Sequence, residues 1–251
     1  MFLKKLSHGL LFLRALVIGP MVGLWTIFCS VICVTMVLVG LPQNLYMKWI
    51  SFLWARCALW MSFVRVEMSG QEHLPKKEGF LFLFNHTSHY DILVLFGHSP
   101  RYFFFGAKSE LFSIPFFGAA MRSVGVLPIE RSNRTKVLAI YKEAEARVAK
   151  GDAFALAPEG TRQPGYGTLG EFKSGPFFFA IHAKMPIVPV VISGCEDIMA
   201  KKSLLVNSKN FIQTVRLQIL PPVDTRGLTD DDIAVLKDQV RGQMLAALKV
   251  D

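Results

Sequence analysis

The segment Phe80–Asp91, which reads FLFLFNHTSHYD, decides the fold and most of the chemistry of this chain. Its first five residues are all apolar, which is typical of a buried strand. The polar run that follows opens a helical pattern, and α/β proteins usually bind ligands at such strand ends. We therefore predict an α/β fold with a candidate site directly after this strand.

Short apolar runs alternate with helical patterns from Arg65 to the C-terminus, as expected for an α/β domain. This alternation predicts a single domain with a central, mostly parallel or mixed sheet of about seven strands flanked by helices. The predicted strands are Val64–Met68, Phe80–Phe84, Tyr102–Phe105, Val124–Ile129, Ala153–Ala157, Ile187–Ile192 and Val215–Leu220. The predicted helices are Tyr90–Phe96, Ser109–Met121, Arg134–Lys150, Pro176–Lys184 and Thr229–Leu248.

The N-terminal segment has a different composition. Ala15–Val39 contains no charged residue and exceeds the roughly 20 residues that cross the hydrocarbon of a bilayer. One interpretation is a single spanning helix. The other is a helical hairpin that is broken near Gly19 and Pro20. The hairpin is favoured because basic residues flank the segment on both sides, and the positive-inside rule then places both flanks in the cytoplasm.

Residues 43–63 mix aromatic with basic side chains. Such a stretch forms either a helix at the level of the lipid headgroups or an ordinary amphipathic helix that covers the core. We predict a hydrophobic helical membrane anchor with an interfacial helix over residues 1–63 and the α/β domain over residues 64–251. The predicted location is the membrane, at the cytoplasmic face of the inner (cell) membrane, since nothing in the sequence calls for an oxidising compartment.

The composition of the 251 residues limits the classes of partner. Hydrophobic residues make up 52% of the chain and the mean hydropathy is +0.38, which is high for a soluble protein. The net charge of +9 suits nucleic acid, anionic lipid or a phosphorylated substrate. Nucleic acid is disfavoured because the sequence has no basic-region helix and no long run of Lys and Arg. The four cysteines lack the spacing of a metal site, so neither metal nor cofactor is predicted.

His86 and Asp91 form a candidate catalytic pair. On a regular helix, residues five apart point about 140° away from each other. If His86 instead precedes the helix and Asp91 lies in its first turn, the carboxylate can orient the imidazole. The other ring nitrogen is then free to remove a proton from a substrate hydroxyl. A purely structural turn is the alternative, because this spacing often arises by chance.

Three further blocks follow the candidate pair along the chain. Gly125–Arg131 and Ala157–Arg162 each continue an apolar strand to an arginine, and Pro186–Val190 is an apolar strand with two prolines. The glycine, threonine and arginine of the second of these blocks suit a phosphate. Glycine allows close backbone approach, threonine donates a hydroxyl, and arginine offers a bidentate guanidinium. Each block alone is more often structural than functional.

Taken together and in this order, four blocks of the chain resemble the 1-acylglycerol-3-phosphate acyltransferases, a family of glycerolipid acyltransferases. The resemblance covers about residues 64–222 and extends to the hydrophobic N-terminus. Lys108 in the sequence GAKSEL and the segment Phe172–Gly175 also look like this family. The four blocks are Asn85–Asp91, Gly125–Arg131, Pro158–Arg162 and Ile187–Val190.

The resemblance implies transfer of a fatty acyl group from acyl-CoA or acyl carrier protein to the sn-2 hydroxyl of lysophosphatidic acid, without a covalent acyl-enzyme. His86 would be the general base and Asp91 would orient it. The implied partners are the acyl donor, a lysophospholipid acceptor and membrane lipid, with no nucleic acid. The implied substrate-binding residues are Lys108, Arg131 and Arg162 for the phosphate, and Glu159, Gly160 and Thr161 for positioning the acceptor.

Some positions depart from the family pattern. Pro128 and Glu130 stand where an apolar residue and an aspartate are frequent, and Ala157 stands where an aromatic residue is common. These departures affect the acceptor more than the reaction class. Another lysophospholipid or a lyso-aminolipid is therefore an alternative acceptor, and a non-catalytic lipid-binding protein is the alternative from another class. The phenylalanines at 103–105, 116–117 and 177–179 either line an acyl tunnel or belong to the core.

Overall fold

The computed structural model describes residues 2–130, 134–201, 206 and 210–249. Its seven strands form one sheet in the order β1-β7-β6-β2-β5-β3-β4. The strands are β1 (Val64–Ser69), β2 (Leu81–Phe84), β3 (Phe103–Lys108), β4 (Leu127–Ile129), β5 (Ala153–Leu156), β6 (Ile187–Ser193) and β7 (Gln213–Ile219).

Helices cover both faces of this sheet. Short 3-10 turns at Gln71–His73, Ser109–Ser113 and Asp230–Asp232 complete the regular structure of the described residues. The helices are α1 (Phe2–Leu38), α2 (Gln43–Met61), α3 (Tyr90–His98), α4 (Phe117–Ser123), α5 (Arg134–Val148), α6 (Gly175–His182), α7 (Cys195–Ile198) and α8 (Ile233–Leu248).

The direction of the strands determines where the site lies. β6, β2, β5, β3 and β4 are mutually parallel, so their C-terminal ends meet at one edge of the sheet, which we call the carboxyl edge. β7 is antiparallel to β6, and β1 is parallel to β7. The predicted single domain with a seven-stranded mixed sheet is confirmed. The division at residue 64 stays a prediction.

The central strand β2 contributes to two apolar layers. Phe82 and Phe84 pack against the layer that includes α2 and α3, whereas Leu81 and Leu83 pack against the layer that includes α5, α6 and α8. All four side chains are buried. The unbroken apolar run in the sequence therefore has a simple cause, because helices cover the strand on both faces.

One predicted helix and two predicted strands are wrong in extent. The strand predicted to end at Phe105 continues to Lys108. The helix predicted over Ser109–Met121 is a 3-10 turn followed by α4. The break lies at Pro115, which lacks an N–H and forces Ile114 into an extended conformation. The strand predicted from Val124 begins only at Leu127. Gly125 has a φ of +78°, and this left-handed residue ends α4 before the strand starts.

The prediction that a helical hairpin turns near Gly19 and Pro20 is wrong. α1 continues through Pro20, because proline removes only one N–H from the helix and Gly19 has no Cβ to clash with the proline ring. The chain instead turns at residues 39–42, and α2 returns antiparallel to α1. The indole N–H of Trp25 donates to the carbonyl of Trp54 at 3.0 Å, which joins the two helices midway.

The α1–α2 pair has one side on the domain and one side facing outward. On the domain side, Ala55 and Ala58 of α2 are fully buried against the core. On the outer side, Leu24, Trp49 and Trp60 are among many exposed apolar residues. Within the described residues, α1 is the helix whose length and composition would allow it to cross a membrane. α2 thus covers the core, as one interpretation required, and still presents aromatic residues outward.

Candidate active site

The site begins at Asn85, the residue that follows β2, whose side chain pairs with the backbone of the neighbouring strand β6. The amide nitrogen Nδ2 of Asn85 donates to the carbonyl of Ile192 at 2.8 Å, and the Ile192 N–H donates to Oδ1 of Asn85 at 2.8 Å. The side chain therefore replaces a backbone pair at the point where the chain leaves the sheet. Asn85 is buried, and these two hydrogen bonds fix the residue before His86 against β6.

The structure brings His86 and Asp91 together across the start of a helix. His86 lies in the turn before α3, and Asp91 lies in the first turn of α3. Nδ1 of His86 is 2.9 Å from Oδ2 of Asp91. Because a carboxylate only accepts, Nδ1 carries the proton in this contact, so in the neutral imidazole Nε2 holds the lone pair. The neutral imidazole can then act as a base through Nε2.

Asp91 is fully buried and its carboxylate is held by the turn itself. Oδ2 also accepts the backbone N–H of Thr87 at 2.7 Å and of Ser88 at 2.9 Å. These donors lie in the turn at the start of α3, and Asp91 itself lies in the first helical turn, where the helix dipole stabilises a negative charge. The hydroxyl of Ser88 donates to the carbonyl of Met199 at 2.8 Å and is buried, so it has a structural role here.

Glu159 holds the backbone of His86 from the neighbouring strand. It follows β5, and its carboxylate is almost completely buried. Oε1 accepts the N–H of His86 at 3.1 Å, and Oε2 accepts the N–H of Gly170 at 2.7 Å. Burial raises the pKa of Glu159, and these two N–H donors oppose that shift. The sequence offered no signal for this contact, and a direct role toward the acceptor stays a prediction.

The loop after Glu159 is fastened to the same turn. Gly160 has a φ of +69°, a left-handed conformation that favours glycine, and it turns the chain back toward His86. The N–H of Gln163 then donates to the carbonyl of His86 at 2.7 Å. Both backbone groups of His86 are therefore bonded to the segment after β5. Thr161, in the same loop, is exposed.

Arg162 places a positive charge near this turn. Its Nη1 atom is buried and donates to no partner within the described part of the chain. Partial burial lowers the pKa of His89, and the charge of Arg162 lowers that pKa further. The guanidinium of Arg162 therefore lies near the His86–Asp91 turn with one donor available for an anion.

The two other predicted phosphate ligands lie farther along the carboxyl edge or outside the described residues. Lys108 is the last residue of β3, and β5 separates that strand from β2. It is exposed, and its Nζ is 2.7 Å from Oε1 of Glu110. Arg131 follows β4 and is not among the described residues, so its role stays a prediction.

An apolar cavity of about 590 Å³ adjoins the turn. His89 and Tyr90 line it, and the exposed ring of His89 marks its mouth. The other lining residues come mainly from α1, α2, α3 and α4. Of the aromatic residues considered for an acyl tunnel, Phe105 and Phe117 line this cavity. The residues at 177–179 pack against the opposite face of the sheet.

Comparison with known proteins adds to this geometry. A family model described as Acyltransferase matches residues 65–193, a span that contains all four sequence blocks. A 1-acyl-sn-glycerol-3-phosphate acyltransferase alpha of Mus musculus is 30% identical over 226 residues, which cover 90% of this chain and 78% of that protein. The chain belongs to the 1-acyl-sn-glycerol-3-phosphate acyltransferase family. This membership confirms the resemblance seen in the four blocks.

Two further relatives extend the comparison. A 1-acyl-sn-glycerol-3-phosphate acyltransferase of Saccharomyces cerevisiae is 33% identical over 233 residues, covering 90% of this chain and 73% of that protein. The crystal structure of the 1-acyl-sn-glycerophosphate (LPA) acyltransferase PlsC from Thermotoga maritima superposes with a TM-score of 0.76. That match is 24% identical and covers 98% of this chain and 96% of that one, and it supports the fold of the acyltransferase.

Proposed function

We propose that this acyltransferase moves a fatty acyl group from a thioester donor, acyl-CoA or acyl carrier protein, to the sn-2 hydroxyl of lysophosphatidic acid. The product would be phosphatidic acid, an intermediate of phospholipid biosynthesis. The supporting observation is the position of the His86–Asp91 pair, which lies beside Arg162 and next to the mouth of an apolar cavity. The names of the mouse and yeast relatives support the choice of acceptor.

In this proposal, His86 is the general base. Its Nε2 removes the proton of the lipid hydroxyl while the oxygen attacks the thioester carbonyl. The tetrahedral intermediate then collapses, the carbon–sulfur bond breaks, and the thiolate receives the proton from the imidazolium. Asp91 stabilises that imidazolium through Nδ1. No covalent acyl-enzyme is needed, since Ser88 is buried and hydrogen-bonded to Met199.

Two side chains and one backbone contact keep the base in position before substrate binds. Asn85 bonds to β6, Glu159 accepts the His86 N–H, and Gln163 donates to the His86 carbonyl. A base that is already oriented loses little entropy when the reaction begins. We therefore assign a positioning role to Asn85 and Glu159, which act through His86.

We propose that the positive groups at the carboxyl edge bind the phosphate of the acceptor. Arg162 has a free donor beside the turn, and a guanidinium binds phosphate in a bidentate manner. Lys108 is the last residue of β3 at the same edge and would add charge there. Arg131 lies outside the described residues and stays a candidate from the sequence. The left-handed turn at Gly160 and the exposed hydroxyl of Thr161 complete this phosphate site.

The apolar cavity is the site that we assign to the acyl chain. Its volume of about 590 Å³ lies in the usual range of ligand pockets, about 300–1,000 Å³. Each methylene group that leaves water for such a cavity contributes about 0.8 kcal/mol. The cavity lies between the membrane-facing helices and the sheet, so a chain could enter it from lipid.

The proposed location is the membrane, at the cytoplasmic face of the inner (cell) membrane. The outer sides of α1 and α2 are apolar, whereas their inner sides pack on the domain. A helix that keeps one side on a water-exposed domain cannot cross a bilayer along that length. We therefore infer that the α1–α2 pair enters one leaflet, where both the acceptor and the product reside.

A thiol-release assay tests this function. The purified full-length chain would be given acyl-CoA or acyl carrier protein thioesters together with lysophosphatidic acid or other lysolipids. We expect thiol release only when lysophosphatidic acid is present, and loss of that release in His86→Ala. Faster turnover with another lysolipid would favour the alternative acceptor. Liposome binding without turnover on any acceptor would favour a non-catalytic lipid-binding protein.

A further inference from the structure

A small apolar patch lies outside the α1–α2 outer face and takes no part in the proposed reaction. It consists of Phe63, just after α2, and Phe211 and Ile212, just before β7. Their exposed fractions are 43%, 60% and 59%. The rings of Phe63 and Phe211 are 4.8 Å apart, centroid to centroid. We call these three residues the Phe63–Ile212 patch.

The sheet places this patch at the same edge as His86. β7 runs antiparallel to β6, so its N-terminal end meets the C-terminal end of β6. β1 starts beside it, with Val64 level with Gln213 and the N–H of Gln213 bonded to the carbonyl of Phe63 at 3.1 Å. The residues before both strands therefore project from the carboxyl edge.

Phe63 occupies a backbone conformation that disfavours its side chain. Its φ is +56°, at the C-terminal end of α2, where glycine is the usual residue. A bulky residue with positive φ is an outlier that costs stability. Phe63 is 43% exposed, so much of its apolar surface is left for an external contact that would stabilise this conformation.

Arg14 of α1 connects the patch with the apolar helix. Its guanidinium donates to the carbonyl of Ser62 at 2.8 Å and to that of Asn210 at 3.1 Å. Its Cζ atom lies 5.1 Å from the ring centroid of Phe63 and 4.9 Å from that of Phe211. Exposed apolar residues of α1 flank Arg14, so the patch continues the surface of that helix. Arginine beside aromatic rings is typical of the membrane–water interface.

We propose that the Phe63–Ile212 patch is a second lipid-contacting surface, which inserts into the bilayer interface beside α1. Together with α1 and α2, it would fix the tilt of the domain and turn the carboxyl edge, with His86, toward the lipid. The benefit for catalysis rests on the proposed function, whereas the contact with lipid does not.

A fluorescence quenching experiment tests the contact directly. In a Cys57→Ala background, Ile212→Cys or Val235→Cys would be labelled with an environment-sensitive fluorophore, since Cys29, Cys33 and Cys195 are buried. Val235 is 71% exposed on α8 and serves as the control. The full-length chain would be bound to phosphatidylcholine–phosphatidylglycerol vesicles that contain spin-labelled lipid. We expect strong quenching at position 212 and little at position 235.

Equal quenching at the two positions would overturn the proposal. If both labels of the vesicle-bound chain were equally accessible to an aqueous quencher, that result would also overturn the proposal. A protein partner would then be the alternative occupant of the patch. The vesicles contain no substrate. A chain that failed to acylate lysophosphatidic acid could therefore still show the contact, and the two failures are distinguishable.

A kinetic experiment tests the proposed consequence. In the Phe211→Ser/Ile212→Ser double variant, the apparent KM for lysophosphatidic acid in vesicles is expected to rise about tenfold. kcat and the KM for a water-soluble short-chain lysophosphatidic acid are expected to stay unchanged, and Val235→Ser is expected to change neither. An unchanged KM in vesicles, or an equal rise for both forms of substrate, would contradict a lipid contact.

Discussion

Nδ1 of His86 and Oδ2 of Asp91 lie 2.9 Å apart because helix α3 begins between them. The turn before α3 supplies the backbone N–H groups of Thr87 and Ser88 to the same carboxylate, so the aspartate is held in place as it orients the imidazole. A helix continuing through both residues would separate them. The turn is therefore part of the proposed catalytic group.

Asp91→Asn is expected to lower kcat by roughly 10²–10⁴-fold, since an amide oxygen can still accept from His86 Nδ1 but carries no negative charge to stabilise the imidazolium. Thiol release at saturating substrates measures kcat. Asp224→Asn is the control, because Asp224 is exposed and paired with Arg226. An Asp91→Asn protein with kcat within about tenfold of wild type would exclude this role.

Glu159→Gln is expected to lower kcat with little change in the KM for lysophosphatidic acid. Glutamine accepts only one of the two N–H donors and turns its own NH₂ toward the other. The backbone N–H that is left buried without an acceptor lowers the free energy of unfolding by about 1–3 kcal/mol. Kinetics and urea unfolding measure both effects, with Glu171→Gln, exposed in the same segment, as control. A rise in KM alone would instead indicate direct contact with the acceptor.

Arg162→Ala is expected to raise the KM for lysophosphatidic acid by about 10–100-fold, the effect of losing a charged hydrogen bond. Arg162→Lys should recover part of the loss, because lysine keeps the charge and loses the planar fork. Initial rates at varied acceptor concentration measure KM. Arg226→Ala, at an exposed position, is the control. Unchanged KM in Arg162→Ala would remove this residue from the phosphate site.

Ala120→Phe is expected to shift the preferred acyl chain toward shorter lengths. Ala120 lines the apolar cavity, and a phenyl ring there would fill part of the space assigned to the chain. A series of acyl-CoA thioesters of increasing length, compared by kcat/KM, measures the preference. Ala119→Phe is the matched control, since Ala119 is the exposed neighbour on the same helix. The same profile in both variants would place the acyl chain elsewhere.

Acidification is expected to weaken the contact between α2 and α3. Nη1 of Arg56 is 2.7 Å from Nε2 of His98, so the neutral imidazole accepts a hydrogen bond. Burial lowers the pKa of His98 below its usual 6.5, and the charge of Arg56 lowers it further. The folded state therefore binds fewer protons than the unfolded state. Stability is complete above about pH 6.5 and falls as the pH drops toward the lowered pKa.

His98→Gln tests this pH dependence, because glutamine can accept from Arg56 at every pH. Denaturant unfolding at about pH 7.5 and about pH 5.5 measures the change in folding free energy. We expect a smaller loss in the variant than in the wild type. His89, whose pKa is also lowered, should account for part of what remains. An equal loss in both proteins would show that His98 does not titrate in this range.

Local sequence was sufficient to predict the fold class, most strand positions and the family. Buried strands such as β2 require an unbroken apolar run, and that requirement is visible in local sequence. The four blocks also lie within short segments, so they could be recognised without coordinates. The break at Pro115 is equally local, because a proline disfavours the helical conformation of the residue before it and so divides the segment Ser109–Met121.

Contacts between distant parts of the chain hold the base in position and set the course of α1. Asn85 and Ile192 are 107 positions apart, and Glu159 is 73 positions from His86. These pairs meet because β2 lies between β6 and β5, and strand order depends on the packing of the whole sheet rather than on local pattern. α1 likewise continues through Pro20 because its contacts with α2 and the domain outweigh one lost hydrogen bond.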